Sequence, residues 1–342
     1  MRPRKCRVNV RNKYSRDVPL EFSVPQGSCA GPVLYLAYAS TMREALPCGL
    51  DLHGYADDHA VKVRFPINKR QEETEAIRLL ENSAITIKSW MDANRLKMNN
   101  TKTEFAVFAS SAQLKQCHTK SINVNGEDIE RSNSIKYLGA ALDANLKLKQ
   151  HIANKCRTAM YNLQRIKHIR PFLTEETCHT IVQGLVMSHI DYANSLYHGL
   201  PNNSIKKLQR VQNMAAKTIL RKKRENSSKD CLEILHWLPI RQRVEHKILT
   251  LVFKCLRDEA PKYLSELLMK SETGVHYLRS QQEEKLVVPN TKRKTFADRS
   301  SSVAGPRLWN MIPNDIKQSK DVGAFKRKLK TYLYNKTFTS VD

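Results

Sequence analysis

Two adjacent carboxylates, Asp57 and Asp58, stand in the run Tyr55-Ala56-Asp57-Asp58, with apolar residues on both sides. Neighbouring like charges in an apolar setting are costly unless a cation neutralises them. A tight hairpin between two short strands would present both at its tip. Such an oxygen pair suits Mg²⁺, a hard ion that keeps several waters and takes one or two carboxylates. Two ions held this way can clamp the attacking and leaving oxygens of a phosphoryl transfer. The plain alternative is an Asp-rich turn, and the pair alone does not separate the two.

Upstream stands Val24-Pro25-Gln26-Gly27-Ser28, followed by Gly31-Pro32. A glycine-bearing turn that opens a helix lets backbone groups approach a nucleotide closely, and the Gln26 amide can bond a base, sugar or phosphate. Downstream come Asn94-Arg95-Leu96-Lys97-Met98-Asn99, then Lys102-Thr103-Glu104-Phe105, then Tyr137-Leu138-Gly139. Further on, Lys206, Arg210, Asn213, Lys217 and Arg221 recur at helical spacing as a basic stripe, opposite Ile205, Leu208, Val211, Gln212, Ala215 and Ile219. The run Arg221-Lys222-Lys223-Arg224 closes that segment. Cations at a helix C-terminus complement the macrodipole, so part of this is helix chemistry. A solvated face and phosphate tracking along a nucleic acid are both consistent with the stripe. The cluster also has the form of a short nuclear-import signal.

The elements that must position these residues follow from periodicity. Residues 5–11 and 18–24 read as two short strands joined by a polar turn. A helix-like segment over 33–46 ends at Pro47. Ile77, Leu80, Ala84, Ile87 and Met91 share one face, which predicts an amphipathic helix over 72–93. Residues 105–108 read as a strand. Ile122 and Val124 run into Asn125-Gly126, a type I′ hairpin signal. Residues 135–142 read as one strand with Gly139 inside it. After about residue 143 the pattern turns helical over 147–168, 174–190, 203–224, 240–257 and 322–335, punctuated by Pro171, Pro201, Pro239 and Pro261. Residues 270–300 read as loop-rich. Trp90, Trp237 and Trp309 fall in or beside helices, where tryptophan more often anchors a core than stacks on bases.

The ordered set now carries a resemblance. PQGS with GP, YADD, the helix followed by W-M-x-x-N-x-L-K-x-N-x-x-K-T-E, and Y-L-G together resemble the palm of a reverse transcriptase, most nearly those of animal non-LTR (jockey-like) retrotransposons. The likeness continues through Ser188-His189-Ile190-Asp191-Tyr192, Leu208-Gln209-Arg210-Val211-Gln212-Asn213, Leu235-His236-Trp237-Leu238-Pro239 and Trp309-Asn310. It implies Asp57 and Asp58 as metal ligands, with Mg²⁺ or Mn²⁺ as the ion. It implies Pro25, Gln26, Gly27 and Tyr55 near the incoming nucleotide and template, and Lys102 near the triphosphate. It also implies a primer grip at Tyr137, Leu138 and Gly139. Lys102 reads equally as a surface lysine, and Gly139 as a strand glycine at a bulge.

The departures from that pattern matter too. The family has an earlier palm strand bearing another metal-binding aspartate, and the carboxylates before Asp57 (Asp17, Glu21, Glu44 and Asp51) stand in no such motif. Cys29-Ala30 replaces two aliphatic residues, and His59 follows YADD where Thr is common. The resemblance therefore reads as an N-terminally truncated element, expected to be inactive alone and to leave apolar surface uncovered.

Charge and composition bound the rest. The 342 residues hold 58 Lys and Arg against 33 Asp and Glu, a net of +25, which favours a polyanionic partner. Residues 1–150 hold 23 basic against 16 acidic side chains, and 151–342 hold 35 against 17. No apolar run is long enough to cross a membrane, and no secretion signal precedes the first strand. Eight cysteines occur singly, without a CxxC pair, so no zinc ribbon or thioredoxin-type site is supported, and reduced thiols in the nucleus or cytoplasm are expected. Lys326, Arg327, Lys328 and Lys330 form a second basic cluster. The expected architecture is α+β: a partial palm of short antiparallel strands and helices over 1–143, a helical thumb over 144–225, and a basic helical region over 226–342. The expected partners are an RNA template and a DNA primer. The other classes left open are a non-catalytic RNA or DNA binder and a fragment without function.

Overall fold

The computed structural model describes residues 4–20, 27–47, 49–66, 69–223, 225–270, 285–291 and 297–339. The chain divides into two compact units, one comprising Met1–Gly139 with Ala144–Leu146, the other Ala140–Asp143 with Lys147–Asp342. The mixture of helices and short antiparallel strands agrees with an α+β fold.

In the first unit, strand β1 (Arg4–Cys6) pairs antiparallel with β4 (Val18–Leu20), from Arg4↔Leu20 to Cys6↔Val18. A smaller hairpin of β2 (Asn9–Val10) and β3 (Lys13–Tyr14) is nested between them. The strand expected over 5–11 is therefore two strands. The tip residues Arg11 and Asn12 take φ of 49° and 62°, which turns the chain back at once. Helix α1 (Gly31–Ala39) follows, with Pro32 in its first turn, and a 3-10 turn over Ser40–Met42 continues it toward Pro47. None of its side chains is buried, and Val33, Leu34, Leu36 and Tyr38 are exposed. Strands β5 (Asp51–Tyr55) and β6 (Asp58–Lys62) form a second ribbon.

Helix α2 (Arg70–Ala93) is amphipathic as its spacing predicts. Ile77, Leu80 and Ala84 pack with Phe105, Val107, Ile122 and Val124 in a small core. Residues 105–108, expected as a strand, have Phe105 and Val107 buried and Phe108 exposed, yet among the described residues they form only one bridge, Phe105 to Arg131. The ladder stops there because Ala109 already bonds Ala144, and Ser110 opens helix α3 (Ser111–Gln116) with a capping box. Strands β7 (Ser121–Val124) and β8 (Glu127–Glu130) join through Asn125 (φ 55°) and Gly126 (φ 91°), the two left-handed residues a type I′ turn requires. The single strand expected over 135–142 is instead β9 (Ser134–Tyr137) and β10 (Ala140–Asp143). Leu138 (φ 45°) and Gly139 (φ 74°) break it, so the glycine serves a turn rather than a strand bulge.

The second unit is helical after β10. Helix α4 (Lys149–Ile169) is followed by α5 (Glu175–Val182), a π-helical segment over Gln183–Met187, and α6 (Ser188–Asp191). Next come α7 (Asn202–Ile219), α8 (Ser228–Ile234), α9 (Ile240–Leu256) and α10 (Lys262–Ser265), then α11 (Ser301–Met311), α12 (Asn314–Lys317) and α13 (Val322–Phe338). Pro201, Pro239, Pro261 and Pro313 each stand at a helix N-cap, where a missing N–H is no loss. One contiguous core runs from Leu148 to Leu333 and includes Leu163, Val182, Leu208, Trp237, Phe253 and Trp309. Phe253 stacks on Phe325 at 4.2 Å between ring centroids, with Trp309 beside both. Helix α11 contains Gly305 and Pro306, two nominal breakers. The glycine is needed because a Cβ there would stand 2.9 Å from Val252 Cγ2, so α11 lies close against α9. No helix among the described residues is long and apolar enough to cross a membrane.

Candidate functional site

The β5–β6 ribbon is in register from Asp51↔Lys62 to Tyr55↔Asp58, which leaves Ala56 and Asp57 as its two-residue turn. Ala56 takes φ 51°, a conformation that costs about 1–2 kcal/mol for a residue with a Cβ. Asp57, Asp58 and Tyr55 are all exposed. The His59 ring lies against Gly54, where a Cβ would approach its Cδ2 to 3.2 Å, and His59 Nδ1 donates to the Asp57 carbonyl at 3.1 Å. That bond pins the turn from the strand behind it.

On α1, Tyr35 lies near enough to Asp57 for the carboxylate to act on it. Burial raises its phenol pKa, and the Asp57 charge raises it further. Sequence reasoning missed Tyr35, since nothing in its local pattern marks it. Helix α1 itself is tied to the end of α2. Tyr38 Oη donates to the Asn94 carbonyl at 2.5 Å, its ring meets Trp90 edge-on at 6.4 Å, and Trp90 Nε1 reaches Thr41 Oγ1 at 3.3 Å.

Among the described residues no Lys, Arg or His forms an ion pair with Asp57 or Asp58, and no third His, Cys, Asp or Glu gathers with them into a cluster of metal ligands. Two exposed carboxylates could supply part of the oxygen ligand set of a hard divalent cation, which takes one or two carboxylates and fills the rest of its shell with water or phosphate oxygens. At the base of the ribbon, Asp51 pairs with Lys62 at 3.5 Å, an exposed pair of little energetic weight.

The other expected residues are placed as follows. Pro25 and Gln26 lie outside the described residues. Gly27 sits at φ 87° with open space where a Cβ would be, so the turn needs glycine for its conformation and not for clearance. Lys102 is exposed on a 3-10 turn whose N-cap, Asn99, accepts from the Thr101 amide. Among the described residues no hydrogen bond or ion pair links the Lys102 side chain to the Asp57–Asp58 tip. Tyr137 ends β9, and Leu138 and Gly139 form the turn after it.

On α7, Lys206 and Arg210 are exposed on one side, while Ile205, Leu208, Val211, Gln212, Ala215 and Ile219 are buried on the other. The helix expected over 203–224 ends at Ile219. Arg221 takes φ 51° and the Lys222 amide bonds back to the Lys217 carbonyl, a left-handed C-terminal closure made without glycine. Arg221 thus leaves the stripe, and its Nη2 donates to the carbonyls of Arg170, Pro171 and Leu173. Lys222 and Lys223 are exposed, and Arg224 lies outside the described residues. On α13, Lys326, Arg327, Lys328 and Lys330 are exposed as well.

Residues 4–142 match the family described as reverse transcriptase (RNA-dependent DNA polymerase). The chain is similar to the probable RNA-directed DNA polymerase from transposon BS of Drosophila melanogaster, 29% identical over 174 residues that make up 48% of this chain and 18% of the relative. It is similar to the RNA-directed DNA polymerase from mobile element jockey of the same species, 29% identical over 43% of this chain and 16% of the relative. A third relative, the probable RNA-directed DNA polymerase from transposon X-element, is 23% identical over 63% of this chain and 24% of its own length. The chain therefore spans under a quarter of the length of each of these three relatives. No solved structure matches it.

Proposed function

Residues 4–142 belong to the reverse transcriptases of the jockey-like, non-LTR kind, and from that premise we propose that the chain forms part of a retrotransposon's RNA-directed DNA polymerase. The observation that carries this reading is the Asp57–Asp58 tip, exposed, free of ion-pair partners among the described residues, and held by a strained two-residue turn inside the matched segment. Asp57 and Asp58 would hold a divalent cation, Mg²⁺ or Mn²⁺. When bound, such an ion neutralises charge on the transferring phosphoryl group.

The remaining roles belong to the chain itself. Pro25, Gln26, Gly27 and Tyr55 line the incoming nucleotide and template, Lys102 reaches toward the triphosphate, and residues 137–139 hold the primer end. In this reading residues 1–143 are palm, 144–225 thumb, and 226–342 a basic region that tracks phosphates of an RNA template and DNA primer. The 342 residues on their own bind nucleic acid without extending a primer, because a third carboxylate must join Asp57 and Asp58. The second reading, a non-catalytic RNA or DNA binder, is favoured by the excess of 35 basic over 17 acidic side chains in residues 151–342.

The test is primer extension on an RNA template with annealed DNA primer, dNTPs and Mg²⁺ or Mn²⁺. The chain alone is expected to give no product. Fused behind the upstream part of the jockey relative's polymerase, it is expected to extend the primer and to lose extension on Asp57→Ala. A folded fusion that extends equally well with Asp57→Ala would refute the metal-ligand role. A folded fusion that never extends would leave the binder.

A further inference from the structure

Helix α4 carries five Lys and Arg residues and no Asp or Glu, and the π-helical segment Gln183–Met187 beside it carries no carboxylate either. The inner side of α4 is Ile152, Ala159, Leu163 and Ile166, all buried. Asn162 Nδ2 donates to the Leu185 carbonyl at 2.7 Å, so the π-helical segment lies against the Asn162 flank. What faces outward is a ladder of Arg157, Tyr161 and Arg165, all exposed. Residues four apart share one helix face and stand about 6 Å from one another along the axis.

The fold makes little use of this ladder. Tyr161 is 63% exposed, so its ring buries little apolar area. The Arg165 guanidinium carbon stands 5.8 Å from the centre of that ring, within cation–π range, and leaves the other ring face open. Among the described residues no hydrogen bond or ion pair holds the side chain of Arg157, Arg165 or Tyr161. A helix face built only for water gains from carboxylates paired with cations four residues away. Helix α4 has none to pair, so its outer face is complementary to an anion, with an aromatic ring set between two cations.

We propose that the outer face of α4 binds single-stranded nucleic acid, in which an unstacked base lies on the Tyr161 ring while the phosphates on either side of it are held by Arg157 and Arg165. Aromatic stacking combined with cations along the backbone is how single strands are held without sequence readout. A duplex keeps its bases stacked and has no use for Tyr161. The site rests on the nucleic-acid reading above and narrows it to one strand state and one helix face.

The experiment is fluorescence anisotropy of labelled eight-nucleotide single strands, RNA and DNA, with the full chain across 50 to 300 mM salt. Tyr161→Ala is expected to weaken binding about tenfold at unchanged salt slope, with Tyr161→Phe and Tyr161→Trp restoring it. Arg157→Gln with Arg165→Gln is expected to weaken binding about tenfold or more and to flatten the log–log salt slope by about 1.4, the value for two phosphates of a single strand. Lys326→Gln with Lys330→Gln on α13 removes the same charge elsewhere, and is expected to weaken binding less than about threefold because only the general field changes. Every substituted side chain on α4 is exposed, and circular dichroism checks the fold. A Tyr161→Ala loss on RNA, on DNA or on both names the chemistry of the strand. Equal losses from the α4 and α13 charge variants would overturn the site and leave a diffuse field. Wild-type affinity in a folded Tyr161→Ala chain, or a loss as large on duplex, would overturn the stacked single strand. A wild-type chain that binds no nucleic acid at 50 mM salt would sink the nucleic-acid reading as well, which separates the two failures.

Discussion

Glu73, in the first turn of α2, is a buried carboxylate that holds the loop over 117–119 to the helix. Its Oε1 accepts from Cys117 Sγ (3.2 Å), the His118 amide (2.9 Å), the Thr119 amide (2.8 Å) and Thr119 Oγ1 (2.6 Å). Burial pushes this carboxyl up, but the donors act together against it and hold the group below its ordinary range. Glu73→Ala removes the charged acceptor of the amides of exposed His118 and half-buried Thr119, and bonds to charged groups are worth about 1.5–3 kcal/mol each, so a loss of about 4 kcal/mol is expected. Glu73→Gln keeps an acceptor and removes the charge, and since charge-assisted bonds are about twice as strong as neutral ones, about 1–2 kcal/mol is expected. The first unit's core is small, so the Ala variant should unfold it and the Gln variant only weaken it.

Hydrogen exchange reads this directly: the His118 and Thr119 amides should lose protection in Glu73→Ala and largely keep it in Glu73→Gln. Because the folded pKa is depressed, the ionised group's stabilisation is complete above the unfolded carboxylate value of about 4.3 and is lost as pH falls through the folded value. Acid unfolding of the first unit should therefore steepen below about pH 4, and Glu73→Gln should flatten that dependence. Wild-type protection of both amides in Glu73→Ala would refute the reasoning.

Two further outcomes are expected. Arg170→Met removes three bonds to carbonyls at the ends of α7 and the 170–173 turn, and should lower the second unit's Tm by about 6–12 °C, from roughly 3 kcal/mol at 2–4 °C per kcal/mol; calorimetry showing a change under 2 °C would contradict it. Maleimide labelling at pH 8, read by mass spectrometry, should modify exposed Cys6 and Cys29 first and spare buried Cys178 and Cys231. Cys156, pushed up by burial to about 11, should react faster as pH is raised toward that value; labelling of Cys178 as fast as Cys6 would mean that the helical core is not closed.

How much of this was legible in the residues depends on how local each signal is. The Asp57–Asp58 tip, the amphipathic α2 and the Asn125-Gly126 turn rest on spacing within a few residues, and the structure has all three. The turn at Leu138-Gly139 was hidden because apolar residues run on both sides of it, and a leucine gives no sign that its φ will be positive. The stop of α7 at Ile219 was hidden because neither Gly nor Pro follows, only more basic residues at helical spacing. The helix through Gly305-Pro306 was obscured by two breakers whose justification, the closeness of Val252, lies some fifty residues away. The hold of Arg170 was least legible of all: its guanidinium and the carbonyls of Thr218 and Ile219 meet only once two helix ends converge.

Among the described residues, β5 and β6 pair with each other and with nothing else, so the ribbon that carries the carboxylate tip has two open edges. An open edge is a template for another strand, and a two-stranded ribbon is marginal until one is added. A strand laid along either edge would stiffen the turn and fix the spacing of Asp57 and Asp58. With Asp57 and Asp58 in the proposed role of metal ligands, strand addition and divalent-ion binding would be thermodynamically linked, each raising the affinity for the other by the same factor. In that proposed role the tip would be half of a cooperative unit, its ion affinity rising when a third strand joins the ribbon.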